Sequence, residues 1–256
     1  MIVNEVAAED NGNVKGKLAA LAQRIVDCRL CPRLIRHREA VADDPPRRYR
    51  GQTYWARPLR SFGDPRARIL IVGLAPAAHG GNRTGRIFTG DRSGDFLFAA
   101  LHRCGLANQP TSASRDDGLR LRGAYIAAVV RCCPPGNRPM PQERDNCLPY
   151  LAREIRLLDG LRVVVCLGAF AWDGALRALD ALGLAGRPRP TFGHGAEALI
   201  GAYRLIGSYH PSQQNTFTGK LTPEMVDAVL VRAASVAGIR EQPEGRARAQ
   251  RRPPRR

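Results

Sequence analysis

RILIVGLAPAAHGGNRTGRIFTGDRSGDFLFAALHRCGL (residues 68–106) reads as a strand, a long Gly-rich connection and a helix, in that order. RILIVGL (68–74) is almost continuously apolar, which suits a strand covered on both faces rather than on one. GDFLFAALHRCGL (94–106) changes to helical spacing. The glycines between them let the backbone approach a ligand closely, and the connection ends at a helix N-terminus. It holds neither a GxxxxGKS/T run nor a GxGxxG pattern, which argues against a generic nucleotide-phosphate loop.

Working outward, three more runs have the same character: AYIAAVV (124–130), RVVVCLG (162–168) and YRLIGS (203–208). Helical patterns separate or follow them at PQERDNCLPYLAREIRLL (141–158), AFAWDGALRALDALG (169–183) and TPEMVDAVLVRAASV (222–236). This alternation predicts an α/β protein, a three-layer α/β/α sandwich around a central, mainly parallel four-stranded sheet. Upstream, LAALAQRIVDC (18–28) is helical in pattern, a second basic helix is expected near 32–42, and 43–58 reads as loop. Residues 1–14 are expected to be disordered, 15–240 to form one domain, and the Arg/Pro-rich stretch 241–256 to be a flexible tail.

The 256 residues carry 40 Lys+Arg against 23 Asp+Glu, a formal +17, and a basic excess of this size points to a polyanionic partner. The tail holds six Arg against two Glu, so most of the excess sits on the domain itself. No run of eighteen apolar residues and no secretory leader pattern is present, and a cytoplasmic, reducing location with no membrane partner is expected. Seven Cys in such a compartment call for metal binding, catalysis or packing rather than disulfides. A CxxC pair at Cys28 and Cys31 with distant partners leaves zinc and an iron-sulfur cluster both open on spacing alone.

The last strand leads into GSYHPSQQNTFTGKL (207–221), where Pro211 stiffens the chain behind His210. Loops leaving the carboxyl ends of parallel strands frame a ligand crevice, and both unusual loops leave such ends. GLAPAAHGGNRTGRIFTGD, RCCPPGNRPMPQERDNC and SYHPSQQNTFTGKL, in this order and supported by YWARPLRSFGDP, resemble uracil-DNA glycosylase family 5, the type-B branch, over about residues 20–236.

The resemblance implies a structural 4Fe-4S cluster on Cys28, Cys31, Cys132 and Cys147, with no other cofactor expected. Cys132 is preferred to its neighbour Cys133 by the family's VVKCRPPGNR pattern. The resemblance also implies that Phe88 stacks on an everted base, that backbone of Gly73, Leu74 and Ala75 borders the pocket, and that His210 donates to the leaving uracil O2. Asp91 is the candidate carboxylate beside the sugar cation, its alternative being an N-cap for the helix near Gly94. Asn137 is a candidate amide for the base edge, its alternative being a turn residue.

Leu74 and Ala75 stand where families 4 and 1 carry Glu and Asp, and Ala128 stands where family 4 carries Asn. The implied activity is therefore removal of uracil, and of other deaminated bases such as hypoxanthine, from DNA by a monomer that leaves an abasic site. No Lys sits in the Gly-rich or Cys-containing motif, Lys220 being the nearest, so no strand-cleaving lyase step is expected. The alternatives are a uracil-strict family-4 enzyme, a metal-stabilised nucleic-acid-binding module and, with no flavin or nicotinamide fingerprint in its favour, a cluster-dependent redox enzyme.

Overall fold

The computed structural model describes residues 13–184 and 188–239. In chain order its strands are β1 (Phe62–Gly63), β2 (Ile69–Gly73), β3 (Ala124–Ala128), β4 (Val163–Leu167), β5 (Glu197–Ile200) and β6 (Tyr203–Ser208). They form one six-stranded sheet in the order β1-β3-β2-β4-β6-β5. The four apolar runs are the four central strands, mutually parallel, as their two-sided burial requires. The expected count of four is corrected by the antiparallel edge strands β1 and β5. β1 has only two residues, and β5 is partly exposed with Leu199 facing out, so neither carries an apolar run.

The helices are α1 (Val14–Val26), α2 (Pro32–Asp43), α3 (Gly81–Thr84), α4 (Arg92–Arg103), α5 (Pro141–Leu157), α6 (Ala169–Asp180), α7 (Gln213–Phe217) and α8 (Pro223–Ala237). Alternate residues of each strand feed two cores. Leu70, Val72, Val164, Cys166 and Leu205 pack with α1, α2, α5 and α6. Ile69, Ile71, Val163, Val165 and Ile206 pack with α4 and α8 on the opposite face. The result is the expected three-layer arrangement.

The first helix starts before its apolar periodicity does. Asn13 is its N-cap, accepting from Gly16 N at 2.9 Å, and Val14 is its first residue, so the expected disorder through residue 14 is corrected at these two positions. Residues 1–12 and the Arg/Pro-rich tail lie outside the described residues. Among the described residues no helix is long and apolar enough to cross a membrane.

From β2 the chain crosses to β3 on one side and then to β4 on the other. Connections leaving the carboxyl ends of β2 and β4 therefore part in opposite directions, opening a crevice at that end of the sheet.

Candidate functional site

The Gly-rich connection begins as an extension of the sheet: Val129 N donates to Gly73 O and Val130 N to Leu74 O, both at 3.0 Å. Leu74 and Ala75 are half-buried and bring no acid or base to the loop. The connection then turns through α3 and returns Phe88 across the end of β2. A Cβ on Gly73 would lie 2.7 Å from the Phe88 ring, so only glycine lets the ring settle there. Phe88 is buried with φ +54°, a left-handed backbone that costs a phenylalanine on the order of 1 kcal/mol. Its carbonyl occupies the space beside Gly94, where a Cβ would sit 1.8 Å away.

A buried polar clamp, which the sequence did not reveal, holds this strained turn. Arg86 donates through Nε to Thr89 Oγ1 at 2.9 Å, and through Nη2 to Ser112 Oγ at 2.8 Å and Asp117 Oδ2 at 2.7 Å. Burial alone raises the Asp117 carboxyl, but the Arg86 bond and backbone N–H groups of Leu119, Ala113 and Ser114 hold it down at about 2. Arg83 ties the same loop together, donating to the carbonyls of His79 at 2.8 Å and Gly90 at 3.0 Å.

His210 follows the end of β6. Gly168, at the end of β4 with φ +96°, leaves room for it: a Cβ there would touch His210 Cβ at 3.3 Å. The His210 carbonyl accepts from Ser212 N at 2.8 Å and from Asn215 Nδ2 at 2.9 Å, which fixes the residue from behind. Its ring faces Phe88, with centroids 6.0 Å apart and planes tilted by 34°. Residues 73, 88, 168 and 210 thus meet at three strand ends, as the motif positions predicted for Gly73, Phe88 and His210.

Burial pulls the His210 imidazole from 6.5 to about 4, so at neutral pH it is uncharged and donates through a single N–H. The unfolded chain takes up this proton near pH 6.5 and the folded chain only near 4, so stability falls as pH drops through that window. Relative to His210→Gln, wild type is expected to lose up to roughly 3 kcal/mol between those pH values, measured by urea unfolding at each pH. A constant difference between the two proteins would refute the neutral imidazole.

The two polar candidates differ from these. Asp91 is the N-cap of α4, its Oδ1 accepting from Gly94 N at 3.0 Å, so the capping alternative is realised. Its Oδ2 lies against the Gly80 backbone, and burial raises its pKa against the lowering effect of Gly94 and Ser93 N–H groups. Asn137 ends a 3-10 turn over Pro135–Asn137 with φ +56° and is exposed. The turn alternative describes it.

Cys28, Cys31, Cys132 and Cys147 line one small cavity between α2, α5 and the chain leaving β3, together with Arg38, Arg131, Asn146 and Tyr150. Cys133 is buried but lies off this wall, as the next residue along an extended chain must. Burial raises Cys132 and Cys147 to about 12 as free thiols. Arg38 Nη1 donates to Cys132 Sγ at 3.2 Å and Asn146 Nδ2 to Cys31 Sγ at 3.4 Å, donors that suit thiolates. Among the described residues no group of three or more His, Cys, Asp or Glu is arranged to hold a single metal ion. Four soft donors around a common cavity, backed by two buried arginines, are a donor set of the kind that holds an iron-sulfur cluster.

A family model described as the uracil DNA glycosylase superfamily matches residues 60–233. A type-5 uracil-DNA glycosylase of Mycobacterium tuberculosis is 54% identical over 226 residues, 88% of this chain and 83% of that protein. A type-5 uracil-DNA glycosylase of Thermus thermophilus is 50% identical over 221 residues, 86% of this chain and 98% of that protein. A type-4 uracil-DNA glycosylase of Archaeoglobus fulgidus is 34% identical over 110 residues, 43% of this chain and 47% of that protein.

Proposed function

This chain belongs to the uracil DNA glycosylase superfamily, and from that premise we propose that it hydrolyses the N-glycosidic bond of uracil in DNA and leaves an abasic site. The observation that carries the reading is the Phe88–His210 wall at the strand-end crevice: an aromatic face for a flat base, beside a neutral imidazole donor. Duplexes carrying one uracil test it by alkali-labile breaks, and no base release would sink it.

Base removal requires eversion of the nucleotide and stabilisation of the departing base. Phe88 stacks on the base, and the His210 N–H donates to O2 as negative charge grows there, a bond stronger in the transition state than in the ground state. Being uncharged, His210 gives up no proton in doing so. Water attacks the anomeric carbon as the glycosidic bond breaks and gives one proton to solvent; the base leaves with the bonding pair and takes a proton from solvent. The carboxylate of Asp91 faces the sugar cation in this reading. Asp91→Asn keeps an N-cap while removing the charge, so a fall of about tenfold or more in single-turnover rate at unchanged melting temperature is expected. Wild-type rate in that variant would leave Asp91 as a cap alone.

Hypoxanthine is proposed as a second substrate, because apolar Leu74, Ala75 and Ala128 leave few obligatory hydrogen bonds to reject a different base. Duplexes carrying one hypoxanthine test this directly. Lys220 Nζ lies 4.9 Å from the centroid of the Tyr209 ring, and abasic product without β-elimination is expected. The basic charge supports DNA as partner, and a monomeric enzyme working in the cytoplasm is the proposed setting. Cys28, Cys31, Cys132 and Cys147 are proposed to hold a 4Fe-4S cluster, which supplies cross-linking of α1, α2, α5 and the β3 exit rather than redox chemistry.

The gap left in the duplex needs an occupant, and Phe217 is the most exposed large apolar side chain of the described residues, at 66%. It sits on α7, seven residues beyond His210, with the Arg92 guanidinium 5.3 Å from its ring centroid. Phe217→Ala is expected to slow uracil release from duplex about tenfold or more and from single strands less than about threefold. Equal losses on both substrates would refute the wedge.

A further inference from the structure

Arg38 is 2% exposed on α2, the helix that Cys31 begins. Its guanidinium lines the cysteine cavity and donates to Cys132 Sγ at 3.2 Å. The carboxylate nearest to it, that of Glu39, is 3.8 Å away and itself 47% exposed. Its Nε is buried without a hydrogen-bond partner. A guanidinium withdrawn from water with so little compensation is costly unless the sulfurs beside it carry negative charge.

The same residue reaches in a second direction. Its backbone carbonyl accepts from Asn82 Nδ2 at 3.2 Å. Asn82 is 1% exposed and belongs to α3, inside the Gly-rich connection. Its own N–H donates to Ala77 O and its carbonyl accepts from Ala56 N, both at 3.1 Å. One buried asparagine therefore joins α2 through its side chain to residues 56 and 77 through its backbone.

We propose that Arg38 and Asn82 form a strut through which the cysteine site positions the Gly-rich loop. Cys132 Sγ holds the Arg38 side chain, the Arg38 backbone holds Asn82, and Asn82 holds the segment that leads to Phe88. The inference rests on the cluster reading above and assigns the cluster a consequence for the catalytic end of the sheet. Coupling of this kind is reciprocal: whatever stabilises one end of the strut stabilises the other.

Hydrogen exchange and iron content of the purified holoprotein test it without any assay of base release, so failure of the glycosylase reading would be seen separately. Asn82→Ala, with Asn82→Ser as the milder change, is expected to keep wild-type protection of β4 while amides at 77–85 exchange about tenfold faster and iron is lost to a chelator faster than from wild type. Arg38→Met is expected to lose iron to a chelator about tenfold faster than wild type, and Arg38→Lys, which keeps a cation, to recover part of that retention. Wild-type loop protection in both Asn82 variants, or wild-type iron retention in Arg38→Met, would overturn the strut. Iron-free wild-type protein prepared without oxygen would remove the cluster reading and the strut with it.

Discussion

His210→Ala is expected to lower single-turnover release of uracil from duplex DNA by about 10²–10³-fold while changing DNA affinity less than about threefold. The expectation follows from when the interaction is made. Charge appears on the uracil oxygen only as the bond breaks, so a donor aimed at that oxygen contributes mainly to the transition state. The imidazole is placed for this by Gly168 beneath it, two bonds to its carbonyl and Phe88 across from it. Its depressed pKa keeps the donor neutral through physiological pH, so the rate on the acid side is expected to hold well below pH 6.5. Equal loss of affinity and rate would place His210 among simple binding groups and favour a nucleic-acid-binding module over an enzyme.

Glu154→Ala is expected to destabilise the protein by about 3–5 kcal/mol, read from urea or thermal unfolding of the holoprotein. Arg131 and Glu154 are 1% and 2% exposed, paired at 2.6 Å between Arg131 Nη2 and Glu154 Oε2. Arg131 Nη1 also donates to Ser61, and the Arg131 carbonyl accepts from Leu59 N at 2.7 Å. Removing the carboxylate leaves a guanidinium in the interior with no counter-charge beside it, and the protein must unfold locally or admit water. Because Arg131 lies next to Cys132 and lines the cysteine cavity, faster iron loss should accompany the change. A loss below about 1 kcal/mol would mean that water already reaches the pair.

Much of this was legible in the chain. The central strands are apolar on both faces, and that continuity is a property of sequence alone. YRLIGS coincides with β6 residue for residue. The long helices carry their own periodicity, and the cap weighed at Asp91 is present at the start of α4. The edge strands were not legible, because β1 is two residues long and β5 alternates without an apolar run. The order of motifs located Gly73, Phe88, His210 and the four cysteines, and Asn137 stands on an exposed turn.

The buried ionic pieces escaped for a physical reason. Arg38, Arg86, Arg131 and Glu154 belong to types that usually face water, so nothing in composition or spacing marks them as interior. Their partners lie far along the chain, Arg38 bonding to Cys132 and Arg86 to Asp117. By itself the sequence determined the Gly-rich loop between 68 and 106 as the exit of a buried parallel strand, since local periodicity and glycine placement are written residue by residue. Only the tertiary structure decided which way that loop returns, how Phe88 meets His210, and what braces it from behind. Those outcomes depend on burial and on pairings between segments that neither segment encodes alone.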